Sequence, residues 1–431
     1  MPAPLRDLRQ FIDLLRRERE LVEIAAPVDP DQELAEIHRR VIAADGPALL
    51  FTQVKRSPFP VVTNLFGTPR RVDLAFGPRP IRFVEDAVRL ARELVPPTPG
   101  KLWRARGFAL QAMRVGQRRA RSAPVLAHLR RPPRLTDLPL VTSWPDDGGP
   151  FLTLPLVLTR SPADGTPNLG IYRMQRYDDA ELGLHMQIGK GGGFHFWEAE
   201  QRGEPLPVTV FLGGPPALIL AAVAPLPEGV PELLLASLLL GERLPMTNSP
   251  LSPHPLVAEA EFALLGHAPP GVRRPEGPFG DHYGYYSLRH DYPVFRCEAI
   301  HHREGAIYPA TIVGKPRQED YYIGEYLQRL LRPLFPLVMP AVRDVWSYGE
   351  TGFHALAAAV VRERYPREAM SAAFRILGEG QLGLTKFLLA IDQPMDLTDF
   401  PAVLEHVLAR FRPETDLFVF ANLAMDTLDY T

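Results

Sequence analysis

Apolar residues change their spacing twice along this 431-residue chain. Near the start, Leu5, Leu8, Phe11, Ile12 and Leu15 recur at helical intervals, and Leu34, Ile37, Val41 and Ile42 do so again after Asp29-Pro30. Pro47-Ala-Leu-Leu-Phe-Thr52 and Val61-Val62 then read as short strands. From about 136 to 305 the apolar runs become short: Leu152–Thr159, Leu206–Leu212, Ala217–Val223 and Val294–His301. Gly/Pro turns separate them, which predicts a β-rich barrel or sandwich. After Ile323 the texture mixes again. Tyr326–Leu334, Ala355–Glu363 and Phe400–Phe411 are predicted helices, and Lys386–Ile391 a buried strand, giving a final α/β domain.

Between Lys101 and Arg134 there are ten Arg/Lys and no acid. Only Trp103 and Phe108 could stack on bases there, so the segment reads as a solvated helix and linker rather than a nucleic-acid surface. It marks the first domain boundary, and the predicted division is 1–115, 116–305 and 306–431. The balance of 48 Lys+Arg against 50 Asp+Glu leaves a net charge of −2, which argues against nucleic acid as the main partner. The longest near-apolar stretches, Pro216–Leu226 and Leu233–Leu240, are too short to span a bilayer. The N-terminus carries charges where a signal peptide needs an apolar segment. The lone Cys297 can form neither an internal disulfide nor a metal cluster. A cytoplasmic globular protein is expected. Its 47 prolines are dispersed, which lowers unfolded-state entropy and carries no chemistry.

Three strings carry candidate chemistry. In Asn168-Leu-Gly-Ile-Tyr-Arg173-Met-Gln175, a neutral oxygen ligand and a guanidinium suited to clamping a carboxylate or phosphate lie five residues apart. A surface arginine on a strand is the plainer reading. In Gln187-Ile-Gly-Lys190-Gly-Gly-Gly193-Phe-His195, consecutive glycines let backbone N–H groups approach an anion. The same string fits a flexible hairpin tip, and His195 alone fits a structural histidine. In Pro275-Glu276-Gly-Pro-Phe-Gly-Asp281-His-Tyr-Gly-Tyr-Tyr286, two carboxyls sit among aromatic residues. Burial would keep one acid protonated while Arg173 held the other ionised, the arrangement of an acid/base pair. An aromatic loop with surface acids is the alternative. Glu232 reads as a helix-N-terminal acid, and His301-His302 point to opposite faces of a strand.

Together these strings resemble the UbiD family of prenylated-flavin-dependent, non-oxidative decarboxylases. The resemblance runs from Pro27-Val-Asp-Pro30, Gly46–Phe51 and Asn64–Pro69, through Asn168–Arg173 and Pro275–Gly284, to Thr385-Lys386-Phe387. It implies an N-terminal α/β region, a central split β-barrel that binds the flavin, and a C-terminal α/β oligomerisation domain. It implies prenylated FMN as cofactor, with Mn²⁺ or another divalent metal and K⁺ at the phosphate. By position, Asn168, His195 and Glu232 would be metal ligands. Ile171, Tyr172, Arg173, Met186, Gln187, Ile188, Gly191, Gly192 and Lys386 would contact the cofactor. Glu276, Arg173 and Asp281 would form the catalytic network, with Glu276 shuttling the proton that replaces CO₂.

The aspartate at 281 and Glu350-Thr-Gly-Phe-His354 resemble the quinone-biosynthesis branch, the menaquinone-type decarboxylases above all. An aromatic carboxylic acid of the dihydroxynaphthoate or polyprenyl-hydroxybenzoate type is the implied substrate. A flavin prenyltransferase would supply the cofactor, and a homo-oligomer, dimer or hexamer, is implied. Membrane association would be at most peripheral. Family members usually continue past Asp426–Thr431, which reads as strand-like, with a tail that packs on a neighbouring subunit. The rival readings are an ordinary FMN redox protein on a split barrel and a non-catalytic assembly subunit of a decarboxylase system.

Overall fold

The computed structural model describes residues 4–94, 96, 98–187, 191–226, 230–315 and 317–430. The chain divides into two compact units: Met1–Pro78 with Ala109–Tyr322, and Arg79–Phe108 with Ile323–Thr431.

The first unit opens with α1 (Leu8–Arg17), capped by Asp7, whose carboxylate accepts from the Gln10 N–H at 2.8 Å. Leu8, Phe11, Ile12 and Leu15 fall on its buried face, as their spacing predicts. Strand β1 (Leu21–Ile24), α2 (Glu33–Ala43), β2 (Ala48–Phe51) and β3 (Val61–Thr63) follow. The three strands and Tyr308–Pro309 form a small sheet in that order.

The unit is dominated by a ten-stranded sheet. Its strands are β4 (His128–Arg130), β5 (Phe151–Leu152), β6 (Leu156–Arg160), β7 (Pro167–Ile171), β8 (Met174–Arg176), β9 (Glu181–Leu184), β10 (Leu206–Leu212), β11 (Phe262–Ala268), β12 (Arg273–Glu276) and β13 (His290–His302). The order is β5-β8-β9-β13-β11-β10-β6-β7, with β4 and β12 also pairing β13, and every pairing is antiparallel. The curled sheet matches the β-barrel texture of 136–305. Leu182, Leu184, Val208, Val210, Phe262, Leu264, Phe295 and Ile300 pack in one core. Three helices interrupt the strands: α3 (Gly191–Arg202), α4 (Ala217–Val223) and α5 (Glu232–Leu240).

Two predicted elements are reversed. Ala217–Val223, expected as a strand, is α4. An unbroken apolar run has no period to distinguish the two, and Pro215-Pro216 suits a helix start while offering no N–H to a ladder. Ala355–Glu363, expected as a helix, contains a strand. In the second unit β14 (Val342–Ser347), β15 (Leu356–Val361) and β16 (Phe387–Ile391) form one sheet with β15 in the middle. The alanine content of Leu356-Ala-Ala-Ala-Val-Val361 favours a helix locally, but pairing on both edges and burial of Ala357–Val361 override it. The sequence boundary after Tyr322 falls within α6 (Glu319–Leu331), and α7 (Glu368–Leu377) and α8 (Phe400–Leu408) belong to the second unit. Asp426–Tyr430, expected to be strand-like, form a turn. Among the described residues no helix is long and apolar enough to cross a membrane.

Register breaks between Leu265 and Gly266, where a Cβ on Gly266 would lie 1.9 Å from the Arg296 carbonyl oxygen. Both backbones are fixed by the sheet. Gly266→Ala should destabilise the protein by about 1–3 kcal/mol in urea titration.

Candidate active site

Arg173 follows β7 and has its side chain only 9% exposed. Its guanidinium forks onto Glu276, Nε to Oε1 at 2.8 Å and Nη2 to Oε2 at 3.1 Å. Nη1 donates to Asp281, and Nη2 also donates to the Ser287 hydroxyl at 2.9 Å. The ring of Phe279 lies 4.5 Å beneath it. The reading of Arg173 as a surface residue is therefore overturned.

Glu276 ends β12 and is fully buried. Gln175 pins the chain beyond it: its carbonyl accepts from the Gly277 N–H at 2.8 Å and its amide donates to the Gly148 carbonyl at 2.6 Å. Asp147 fixes the Asp281 side of the loop, accepting from Gly280 N–H at 2.8 Å and from Ser143 and Trp144 N–H at 2.9 Å. Burial pushes the Asp147 carboxyl up to about 6 against those donors.

Each carboxylate on Arg173 also has an imidazole behind it. His185 Nδ1 is 3.0 Å from Glu276 Oε2, and His282 Nδ1 is 2.8 Å from Asp281 Oδ1. Burial works against ionisation of both acids, yet the donors outweigh it. For Glu276, hydrogen bonds from His185 and Arg173 hold the carboxyl below its ordinary range. For Asp281, the His282 hydrogen bond and the charges of His282 and Arg173 bring it to about 2. The expectation that burial raises one acid while Arg173 lowers the other is not met: both carboxyls are held below their ordinary ranges. Arg173 grips both carboxylates, and each has a second donor.

On the strand leading to Arg173, a second group gathers. Asn168 donates from Nδ2 to the Tyr172 hydroxyl at 3.2 Å, and the Gly192 N–H donates to the same oxygen at 3.1 Å. Glu232, first residue of α5, accepts from the Leu169 N–H at 2.9 Å. Burial raises the Glu232 carboxyl. Thr159 pairs with Asn168 across β6 and β7, and its hydroxyl lies 2.9 Å from His195 Nδ1. Nε2 is thereby the His195 nitrogen left for a ligand.

Gly191–Gly193 form the first turn of α3, not a hairpin tip. A Cβ on Gly191 would come within 2.1 Å of Asn168 Oδ1. One on Gly192 would come within 2.9 Å of Met186 Cε and 3.0 Å of the Tyr172 hydroxyl. Only glycine leaves this cradle open. Among the described residues no trio of His, Cys, Asp or Glu gathers as a metal site. The donors on offer are instead an amide oxygen, a carboxylate and an imidazole, a set that suits a hard cation whose remaining ligands come from a phosphate. The residues fit such a group.

The remaining predicted residues fall out as follows. Ile171 ends β7 beside Tyr172. Gln187 Nε2 is 3.2 Å from His185 Nε2. Ile188 and Lys190 lie outside the described residues. Lys386 is in the second unit, 3.4 Å from the Asp429 carboxylate. His354 Nε2 is 3.9 Å from Asp426. Sequence reasoning missed His185, Gln175, Asp147, His282 and Ser287 as parts of the network. Their signal was proximity to the candidate strings: His185 flanks Met186, His282 flanks Asp281, and Gln175 is two residues past Arg173.

An antiparallel sheet carrying a buried carboxylate–arginine–carboxylate group beside a glycine cradle is equipped to manage carboxylates and protons, and likeness to known proteins supplies the class. Profiles of the 3-octaprenyl-4-hydroxybenzoate carboxy-lyase match as its N-terminal domain over residues 12–91, its Rift-related domain over 117–316 and its C-terminal domain over 321–431. An uncharacterised protein of Chlamydia trachomatis serovar D is 57% identical over 98% of this chain and 73% of its own length. A Chlamydia pneumoniae protein named as one of the subunits of 4-hydroxybenzoate decarboxylase is 55% identical over 98% of this chain and 72% of its own. The evolved dimeric form of the UbiD-class enzyme HmfF from Pelotomaculum thermopropionicum, in complex with prFMN, superposes with a TM-score of 0.80 at 25% identity, covering 98% of this chain and 94% of that one. The closed form of Sedimentibacter hydroxybenzoicus vanillic acid decarboxylase shares the fold at a TM-score of 0.86 and 24% identity, covering 99% and 89%. The chain belongs to the UbiD family, and it is a carboxy-lyase.

Arg173→Met would leave two buried carboxylates without their shared cation. A loss of about 3–5 kcal/mol is expected at pH 7. Both acids then rise in the variant, so its native state takes up protons that the parent's does not. The stability gap should narrow as pH falls from 7 to 4. Urea titrations of both proteins across that range check the sign.

Proposed function

We propose that this carboxy-lyase removes CO₂ from an aromatic carboxylic acid of the dihydroxynaphthoate or polyprenyl-hydroxybenzoate type, in menaquinone or ubiquinone biosynthesis, with prenylated FMN as electron sink. The observation that carries the reading is the Glu276–Arg173–Asp281 group, buried and joined by one guanidinium. Hydride transfer, the business of an ordinary FMN redox protein, needs no such group. The family description and the name of the Chlamydia pneumoniae relative both point to hydroxybenzoates. That relative's designation as a subunit also supports work alongside further chains. A homo-oligomer, a flavin prenyltransferase as cofactor supplier, and a cytoplasmic location, peripheral to the inner membrane if the substrate is prenylated, belong to the same proposal.

The net reaction is RCO₂⁻ + H⁺ → RH + CO₂: the bond from ring carbon to carboxylate breaks, and a C–H bond replaces it. Prenylated FMN, when bound, would supply an electrophilic carbon as the electron sink for CO₂ loss. Asn168, Glu232 and His195 would hold Mn²⁺ or another divalent ion, with K⁺ nearby, at the cofactor phosphate. Tyr172, Met186, Gly191 and Gly192 would line the cofactor, joined by Ile171, Gln187 and Ile188, with Lys386 on the phosphate. Four of the five N–H donors of Arg173 are used by Glu276, Asp281 and Ser287, which leaves one on Nη1 to orient a substrate carboxylate. Glu276 shuttles the replacing proton, and Asp281, the general acid of the aspartate-bearing branch, takes up that role once a substrate carboxylate draws on the Arg173 guanidinium that holds it ionised. Phe279 stacks on Arg173 and shields the group from water.

Two experiments follow. Glu276→Gln should retain the cofactor, read by mass spectrometry of the released small molecule, while decarboxylation falls at least about 100-fold. Unchanged turnover would remove Glu276 from its role. Thr159→Val deletes the partner that orients His195. It should weaken Mn²⁺ binding about 10–100-fold by equilibrium dialysis, with the fold intact.

A further inference from the structure

His185 has no place in the catalytic network that the resemblance implies, yet it makes a short contact to the carboxylate that network turns on. It lies just beyond the end of β9, opposite Arg173, to whose carbonyl its own N–H donates at 3.2 Å. Its side chain is 9% exposed and its ring sits 4.1 Å from that of Tyr292. The two ring nitrogens have different partners. Nδ1 faces Glu276 Oε2 at 3.0 Å, and Nε2 faces the amide nitrogen of Gln187 at 3.2 Å. An amide nitrogen only donates, so Nε2 accepts and the ring proton resides on Nδ1, directed at the carboxylate. Burial lowers the basicity of the imidazole, which keeps the ring neutral in this arrangement.

The groups that face Glu276 are few. Arg173 occupies the edge of the carboxylate that His185 leaves open, and Asp281 lies on the far side of that guanidinium. The Tyr177 hydroxyl is bound to the Pro275 carbonyl at 3.0 Å, and Asp147 is held by backbone N–H groups. His290 is the cross-strand partner of Glu276, but it is exposed. Arg173 is shared between two acids. His185 is the one donor among the described residues that serves Glu276 alone.

We propose that His185 is a positioning residue for Glu276: with its proton fixed on Nδ1 by Gln187, it holds the carboxylate in the fork of Arg173 and sets the pH at which Glu276 takes up the proton that it delivers to the product. The inference rests on Glu276 as proton donor. Gln187, expected to touch the cofactor, acquires a second task as the residue that selects the His185 tautomer.

The test uses the full-length protein without cofactor, so that it does not depend on turnover. The Glu276 carboxyl is identified as the infrared band missing from Glu276→Gln and is titrated by difference spectroscopy. His185→Phe keeps the ring packing on Tyr292 and removes the donor; the midpoint should rise by about one pH unit. His185→Asn returns a donor near the Nδ1 position and should restore at least half of that shift. Gln187→Leu, which leaves His185 itself in place, should also raise the midpoint, and ¹⁵N spectra of the histidines should show the Nδ1-protonated form lost. An unmoved midpoint in His185→Phe, an Asn variant indistinguishable from Phe, or a wild-type ring protonated on Nε2 would each overturn the proposal. Those failures leave Glu276 standing as the proton donor, whereas a cofactor-loaded Glu276→Gln that turns over at the parent rate would remove that role, on which the inference rests.

Discussion

One buried guanidinium holds this site together. Arg173 reaches two carboxylates that lie on either side of a tight loop and is the cation they share, while His185 and His282 each back one of them. The surrounding structure serves that contact. Gln175 and Asp147 tie the loop ends to neighbouring backbone, Phe279 floors the guanidinium, and β13 supplies the edge on which the Glu276 strand is laid. A large, regular antiparallel sheet is what allows groups from 173, 185, 276 and 281 to meet without any being adjacent in sequence.

The same strand that delivers Arg173 also delivers Asn168. Five residues separate the guanidinium from the amide oxygen, and the chain between them carries the Tyr172 hydroxyl to Gly192. The two functions expected of a carboxy-lyase of this family, holding a phosphate-bearing cofactor and managing protons and carboxylates, are therefore coupled through one short piece of backbone. A change at Gly191 or Gly192 that displaced Tyr172 would act on both.

Much of this was legible in the sequence because its signals were local. The helical spacing of Leu8, Phe11, Ile12 and Leu15 survives intact in α1, and the short apolar runs between Gly/Pro turns become the strands of the central sheet. Where locality failed, so did the reading. Ala217–Val223 and Leu356–Val361 are both continuous apolar runs. Which is helix and which is strand is decided by the prolines before one and by paired strands on both sides of the other. The site shows the same division. Arg173, Glu276 and Asp281 stand in recognisable strings, but the arrival of His185 at Glu276 spans 91 positions of chain, and no periodicity encodes it. The protonation pattern was misread for a related reason: burial was visible in the aromatic residues around Glu276 and Asp281, whereas the second donor on each acid was not.

The central claim is that a buried carboxylate–arginine–carboxylate group works here with a modified flavin to release CO₂. The most direct measurement is the mass of the small molecule released from protein co-expressed with a flavin prenyltransferase, taken together with CO₂ release from hydroxybenzoate and hydroxynaphthoate acids by the same preparation. Prenylated FMN with stoichiometric CO₂ is the predicted result. Plain FMN with NAD(P)H oxidation and no CO₂, under conditions that load a known member of the family, would contradict it.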